Sequence, residues 1–324
     1  METMKLDDRA KKLNLEKNFV SAVVYVRNNE KELELFFRGL TEKLYENFEA
    51  FEIIFINDYS SDKSVEIIKR VSKVLAGMTI SIVNLSYYHG LETAMVAGVD
   101  LAIGDFVFEF DSPVVDYDFN EIMRVYYHSL KGYDIVSTSP ETRGNFASRC
   151  FYSIFRRYSK NYVQLNTERF RILSRRAINR INILSSSIPY RKAVYYNCGL
   201  KTSTLFYVPI RKVMINFNDQ QCSERLELAF NSLLIFTNLG ARIALCMAVL
   251  MAFISLFMLG YTVYVYTVFD RVVEGWTTIM LFVSVSFTGV FILLAILIKY
   301  VSLILYLQHT KQNYVFESIE KLKQ

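Results

Sequence analysis

The chain has 324 residues, 52% hydrophobic, 15% aromatic and 21% charged, which excludes a disordered or collagen-like protein and gives enough apolar surface for a sizeable core. A formal net charge of +5 is too small to argue for nucleic acid, and no nucleic-acid-binding motif accompanies it, so a membrane surface is the better use of that charge. Cys150, Cys198, Cys222 and Cys246 are too far apart for CxxC metal or redox pairs and too few for a disulfide framework, which points to a reducing compartment.

The opening METMKLDDRAKKLNLEKN is charged and lacks an apolar core, so it is no signal peptide. Residues 1–17 read as an N-terminal extension, and the domain after them is expected to stay cytoplasmic. Val20 to Val26 (VSAVVYV) predicts a strand, after which Leu33, Phe36, Phe37, Leu40 and Leu44 recur at helical spacing. Phe51 to Ile56 (FEIIFI) predicts a second strand. Asp62 can cap a helix carrying Val65, Ile68 and Leu75, and Met78 to Leu85 predicts a third strand. Ala94, Gly98 and Ala102 then recur every four residues, a small-residue stripe that lets a helix lie close to the sheet. Asp105 to Phe110 (DFVFEF) predicts the fourth strand. Strands alternating with helices imply an α/β fold with a mostly parallel sheet, right-handed crossovers and helices on both faces.

Ligands of such sheets bind beyond the carboxyl ends of the strands. There the first strand runs into Arg27, Asn28 and Asn29, the second into Asn57 and Asp58, and the fourth into Glu109 and Asp111. Turn chemistry alone is the competing account of NDYSSD. Glu109 and Asp111 stand at i and i+2 of a strand, so both side chains point to one face. Two hard carboxylates without His or Cys suit Mg²⁺ or Mn²⁺ rather than zinc, and such an ion completes its shell with substrate phosphates, which implies a phosphate-bearing donor. The alternative is that Glu109 is solvated and Asp111 acts alone.

From Ile243 to Phe269 the chain carries no charge, and Trp276 to Ile298 is a second uncharged run. At about 1.5 Å per residue each suffices for a bilayer core of about 30 Å. The short connector Asp270 to Gly275 makes them an antiparallel hairpin within residues 241–308, against which the alternative is two buried helices of a soluble core. Arg225 and Arg242 before the hairpin and Lys299, Lys311, Lys321 and Lys323 after it place both ends on the cytoplasmic side. Leu226, Leu228, Leu233 and Leu234 within residues 216–240 suggest an amphipathic helix lying on the membrane, or an ordinary packing helix. Residues 309–324 are left as a cytoplasmic tail.

With these residues in view, the chain resembles the family-2 glycosyltransferases of the GT-A fold, and within them the polyprenyl-phosphate glycosyltransferases, including dolichol-phosphate mannose synthase-like and bacterial O-antigen-modifying enzymes. AVVYVRNNEKEL looks like the family's VVVPVYNEEENL, EIIFINDYSSDKS like EIIFVDDGSSDGT, and HGLETAMVAGVDLAIGDFVFEFDSP like NxGxxAAxxAGxxxAxGDxxxxxDADLQ. Further on, GYDIVS, ERFRILSRRAI and EGWTTIM resemble GYDVV, DFRLLDRRVV and PGWTSLM. The chain departs from the pattern at Tyr25, Arg27, Asn29 and Asn57, at Tyr59 where the family has glycine, and at Glu109 where the D-x-D motif has aspartate.

The resemblance implies a Rossmann-like GT-A domain over residues 18–215 and the two-helix anchor, in a bacterial inner membrane. It also implies transfer of one sugar from a UDP- or GDP-linked donor to polyprenyl (undecaprenyl) phosphate by metal-assisted displacement. Asp111 and Glu109 would hold the ion. Asp58 would contact the nucleotide, with Tyr25, Arg27, Asn29, Asn57 and His89 beside it. Because a phosphate acceptor is already anionic, with a second pKa near ~6, it needs positive charge more than a general base. Arg171 matches the arginine of the family's FRL segment, and Arg169, Arg175, Arg191 and Arg211 are further candidates, the alternative for this basic set being attraction to anionic lipid. Glu168 either assists or caps a helix. The rival functions are a catalytically silent membrane-anchored partner and a transferase with another acceptor; homo-oligomers fit any of these.

Overall fold

The computed structural model describes residues 15–75, 78–141, 153, 168–184, 190–211, scattered positions from 246 to 264, 275–309 and 314–322. Residues 1–14, the juxtamembrane segment 216–240, the connector 270–274 and most of the first apolar run lie outside the described residues.

Among the described residues eight strands form one sheet: β1 (Val20–Val26), β2 (Phe51–Asn57), β3 (Thr79–Leu85), β4 (Phe106–Phe110), β5 (Ile135–Pro140), β6 (Phe170–Ser174), β7 (Thr202–Tyr207) and β8 (Phe316–Leu322). Their order is β7-β5-β6-β4-β1-β2-β3-β8. β1 lies parallel to β2 and β4, β2 to β3, and β5 to β7, whereas β6 is antiparallel to β4 and β5, and β8 to β3. The four strands read from the sequence hold their places within one residue. Because both faces are covered, β1 and β2 are buried almost throughout, as expected of parallel strands.

One face carries α1 (Glu30–Asn47), α2 (Ser64–Ser72) and α4 (Asn120–Ser129), whose apolar stripes meet Val24, Phe55, Phe108 and Phe110. The other carries α3 (Leu91–Leu101), α5 (Arg175–Leu184) and α6 (Arg191–Asn197), packed on Val23, Ile56, Val107 and Leu173. The small-residue stripe does what its spacing implies. A Cβ on Gly98 would run into the side chain of Val23 and lie 2.9 Å from Ile56 Cγ1, so α3 seats on the sheet through a bare backbone. Gly98→Ala is therefore expected to destabilise by roughly 1–3 kcal/mol through overpacking, despite alanine's ~1 kcal/mol helix advantage. Urea unfolding checks this, and a variant at least as stable as the wild type would show that the contact yields freely.

The chain's end corrects the sequence reading. Residues 316–322 are not a free tail but the edge strand β8, so the α/β domain takes in residues beyond 215. Asn84 Nδ2 donates to Ser318 Oγ at 3.0 Å and to Glu320 Oε1 at 3.1 Å, and Lys69 pairs with Glu320 at 2.6 Å. The strand protects the open edge of β3, and its charged side chains keep its own edge from pairing further.

α7 (Trp276–His309) has 34 residues, continuing eleven beyond the expected end of the second apolar run, and Lys299 is the single lysine in it. Among the described residues no helix is long and apolar enough to cross a membrane. The described side chains of α7 include the exposed Ile279, Phe287, Phe291, Leu297, Ile298 and Ile304. Met251 of the first run lies against α7: a Cβ on Gly289 would lie 2.7 Å from Met251 Cε.

Candidate functional site

The carboxyl ends of β1, β2 and β4 share one edge of the sheet, and β6, running the other way, brings its amino end to the same edge. Asp58, just past β2, is fully buried there. Its Oδ1 accepts the His89 N–H at 2.8 Å, and its Oδ2 accepts the Gly90 N–H at 2.9 Å and the Tyr25 hydroxyl at 3.0 Å. Burial pushes the Asp58 carboxyl up, against the pull of these bonds. Asp58 thus grips the turn before α3, where Gly90 has φ +82°.

The next turn is held by Arg27. Tyr59, at the family's glycine position, has φ +54°, a left-handed conformation that costs a non-glycine residue about 1–2 kcal/mol. Arg27 Nη1 donates to the carbonyls of Asp58 at 2.6 Å and Tyr59 at 2.8 Å, and its guanidinium lies 4.0 Å from the Tyr88 ring centroid. Asn29 and Asn57 serve the same turns: Asn29 Oδ1 accepts the Arg27 N–H at 2.9 Å, and Asn57 Nδ2 donates to Asn84 Oδ1 at 2.8 Å. The imidazole of His89 stacks on Tyr87, and its Nε2 accepts the Val315 N–H at 3.0 Å, which ties the loop to the residues just before β8.

At the same edge of the sheet, on β4 and β6, lies an ion-pair lattice. Glu109 and Arg171 are cross-strand partners of β4 and β6. Arg171 is fully buried and donates Nη1 to Glu109 at 2.8 Å, Nη2 to Asp111 at 2.7 Å and Nε to Glu168 at 3.0 Å. Arg191, also buried, donates Nε to Glu92 at 2.9 Å and Nη2 to Asp111 Oδ1 at 2.8 Å. Its Nη1 is 3.0 Å from Glu109 Oε2, yet in ion-pair range only, without hydrogen-bond geometry. Tyr195 donates to Glu109 Oε1 at 2.7 Å and Tyr196 to Glu168 Oε1 at 3.0 Å. Burial would raise the Asp111 carboxyl, but the charges of Arg171, Arg191 and Lys192 together outweigh it and hold the group far below the usual carboxylate range. Asp111 is the exposed member, at 13% against 0% for Glu109.

Burial, with Glu168 second, pushes the Tyr196 phenol up to about 12; burial does the same for Tyr126, bonded to Asn18 and Glu16. Both folded values exceed the unfolded 10.0, so their contribution is complete below pH 10 and is lost as pH rises toward 12. Tm is expected to fall across that window, and less steeply in the Tyr126→Phe variant; equal slopes in the two proteins would contradict the assignment.

The expected site residues separate on this geometry. Asp111, Glu109, Arg171 and Glu168 come together, joined by Arg191, a candidate for the acceptor phosphate. Arg169 stays at the same edge but pairs with Asp116 at 2.7 Å, where Tyr207 also donates at 2.7 Å. Arg211 Nε donates to the Val115 carbonyl at 2.6 Å on the rim. Arg175 does not reach the site: it sits at the far end of β6, donating to the carbonyls of Ala102 at 2.8 Å and Gly104 at 2.9 Å, where it caps the end of α3. Four residues of strand, roughly 13 Å, separate it from Arg171.

The expectation of a two-carboxylate metal site also changes. Glu109 is fully buried, with one oxygen on Tyr195 and the other facing Arg171 and Arg191, which makes it the counter-ion of the arginines. Asp111 does fit one: its side chain is 13% exposed where that of Glu109 is 0%, and each of its oxygens accepts a single N–H, which leaves about two of a carboxylate's four lone-pair positions. Among the described residues no cluster of three or more His, Cys, Asp or Glu forms a metal site.

Glu92 and Tyr195 escaped the sequence reading. The signal available was Glu92 at i with Met95 and Val99 at i+3 and i+7, a carboxylate on the buried stripe of α3.

An uncharacterised glycosyltransferase of Synechocystis sp. is 29% identical over 194 residues, 58% of this chain and 60% of that one. The bactoprenol glucosyl transferase of Shigella phage SfV is 27% identical over 288 residues, 83% of this chain and 88% of that one. A solved mannosyltransferase of Pyrobaculum calidifontis, in complex with GDP-Man and Mn²⁺, is 12% identical with a TM-score of 0.48, covering 68% of this chain and 63% of that one. Residues 21–195 match glycosyl transferase family 2, more than half of the sequence, and the chain belongs to that family as a glycosyltransferase with a GT-A-like α/β domain.

Proposed function

We propose that this protein transfers one sugar from a nucleotide-sugar donor to a polyprenyl phosphate at the cytoplasmic face of a membrane. The observation that carries the reading is the carboxyl edge of the sheet at the β1/β4 switch point. On one side of it is the turn region of Arg27, Tyr88 and Asp58; on the other is Asp111, backed by two buried arginines. The first is the donor side. Asp58 acts there as a positioning residue, because its carboxylate is spent on Tyr25, His89 and Gly90, and the Arg27 guanidinium set over the Tyr88 ring stands beside it.

Asp111 marks the reacting side. A divalent ion held by Asp111 would supply Lewis-acid stabilisation of the departing diphosphate. Arg171 and Arg191 keep Asp111 ionised and fixed in place. The acceptor phosphate brings its own negative charge, so the displacement asks the protein for orientation rather than for a base, and Arg169 and Arg211 on the rim are the cations that orient it.

Membrane attachment is supported by three features. α7 carries apolar side chains on its exposed surface, as a helix in lipid does. Met251 of the first apolar run lies against Gly289 of the second. The chain leaves the sheet after β7 and rejoins it at β8, so any bilayer crossings between them are even in number, which fits a hairpin with both ends beside the catalytic domain. The bactoprenol relative, matched over most of its length, motivates the acceptor.

The test is transfer of radiolabelled sugar from a panel of UDP- and GDP-sugars to undecaprenyl phosphate in detergent. Lipid-extractable label from one donor is the expected result. A folded protein that hydrolyses or transfers a sugar only to other acceptors would overturn the lipid assignment, and one inert with every donor would overturn the whole reading.

A further inference from the structure

Two turns frame Asp58, and both are tied to the last strand of the sheet. Asn57, Asn84 and Ser318 stand side by side in the pairing of β2, β3 and β8. Their side chains form one relay. The Ser60 N–H donates to Asn57 Oδ1 at 3.1 Å, Asn57 Nδ2 to Asn84 Oδ1 at 2.8 Å, and Asn84 Nδ2 to Ser318 Oγ at 3.0 Å and Glu320 Oε1 at 3.1 Å. Each amide spends its oxygen toward the turn and its nitrogen toward β8, so the relay has a single sense.

The second tie is Val315. Its N–H donates to His89 Nε2 at 3.0 Å, across 226 residues of sequence, and its carbonyl accepts the Ser86 N–H at 3.1 Å. A backbone N–H can only donate, so Nε2 carries no proton, and Nδ1–H donates to the Tyr87 carbonyl 2.6 Å away. The loop 86–90 is therefore held from inside by Asp58, through the N–H groups of His89 and Gly90, and from outside by Val315. Tyr88, under the Arg27 guanidinium, belongs to this loop.

β8 itself is lightly held. Its side chains are mostly exposed, Phe316 and Ile319 among them, and its pairing with β3 shifts register beside Asn84. The ion pair of Glu320 with Lys69 is on the surface, where such pairs add little. An edge strand of this kind opens locally more readily than the buried strands.

Resting on the donor reading above, we propose that residues 315–320 belong to the donor site: Val315 and Ser318 are positioning residues that set the loop 86–90 and the turn after β2, so docking of β8 and binding of the nucleotide favour each other. Such coupling is reciprocal, and ~5–150-fold is typical. An edge strand that only covered β3 would open equally often with and without nucleotide.

The experiment is hydrogen exchange on the full-length protein in detergent with Mn²⁺, alone and with UDP or GDP, read over residues 315–322, with calorimetry of the same nucleotides alongside. The nucleotide that binds should slow exchange there by ~5-fold or more. Donor kinetics of three variants follow. Val315→Pro deletes one N–H, keeps the carbonyl and stands just ahead of β8, where proline is tolerated. It should raise the donor KM by the same factor and leave kcat unchanged, the pattern of a lost binding contribution. His89→Phe keeps a ring to stack on Tyr87 but has no acceptor, and should raise the donor KM likewise. His89→Gln, whose amide oxygen reaches the place of Nε2, should recover most of the loss. Exchange over β8 left unchanged by a nucleotide that binds overturns the proposal, as does a wild-type donor KM in Val315→Pro. Equal losses in His89→Phe and His89→Gln overturn the tie to Val315. If neither UDP nor GDP binds the wild type, the donor reading falls and this proposal with it, a result distinct from binding without protection. The wild-type exchange decides the coupling whether or not the variants fold.

Discussion

Replacing Arg171 by leucine is expected to cost about 3–5 kcal/mol of stability, because it leaves buried carboxylates without their cation. For a domain of this size that is a fall in Tm of roughly 6–20 °C. Arg171 is fully buried, and Glu109, Asp111 and Glu168 all lie within 3.0 Å of it. Arg191 alone would then face four carboxylates. The contrast is Arg175→Ala, which removes a cation from the carboxyl end of α3 and should cost about 1 kcal/mol while leaving transfer unchanged, since Arg175 is at the opposite edge of the sheet. Circular-dichroism melts and the transfer assay on both variants test this. Arg171→Leu melting with the wild type would remove the lattice as a structural element, and loss of transfer in Arg175→Ala at unchanged Tm would return that residue to the site.

The same pair shows where the sequence was legible. Runs such as VSAVVYV and FEIIFI carry an unbroken apolar signal because parallel strands are buried on both faces, so β1 to β4 and the polar residues ending them could be located without coordinates. Arg171 and Arg175 looked alike in sequence, four residues apart in one basic segment. Their separation depends on β6 running antiparallel to β4, which no local pattern states. β5 (IVSTSP) and β7 (TSTLFY) are short and rich in hydroxyl residues, so periodicity is weak there. β8 (FESIEKL) is a mostly exposed edge strand with too few apolar residues to stand out from a charged tail. Arg191 meets Glu92 across 99 residues of sequence, and its role follows from α3 and α6 lying on the same face of the sheet. The motif positions were readable; their partners were not, since buried charge pairing is a tertiary property.

Asp111→Asn is expected to keep the fold and lower kcat/KM by about 100- to 1000-fold, the usual effect of removing one group that stabilises developing charge. The substitution is isosteric, and the lattice already has more carboxylates than guanidinium groups, four against two, so losing one negative charge leaves no arginine unpaired. Glu109→Gln should do the reverse. Its oxygens face Arg171, Arg191 and Tyr195 inside the protein, so the loss is read in Tm first and any fall in transfer follows from a disturbed Asp111. The pH response separates the two residues further. The folded Asp111 carboxyl is depressed below its ordinary 3.8, so the stability it contributes is present above that pH and is lost only as pH falls toward the folded value. Transfer should therefore show no acid limb from Asp111 at any pH above about 4. Steady-state kinetics on the two variants, with melts alongside, decide the matter. Transfer by Asp111→Asn within tenfold of the wild type would move the reacting side away from this carboxylate, and Glu109→Gln losing activity at unchanged stability would restore Glu109 as a direct participant.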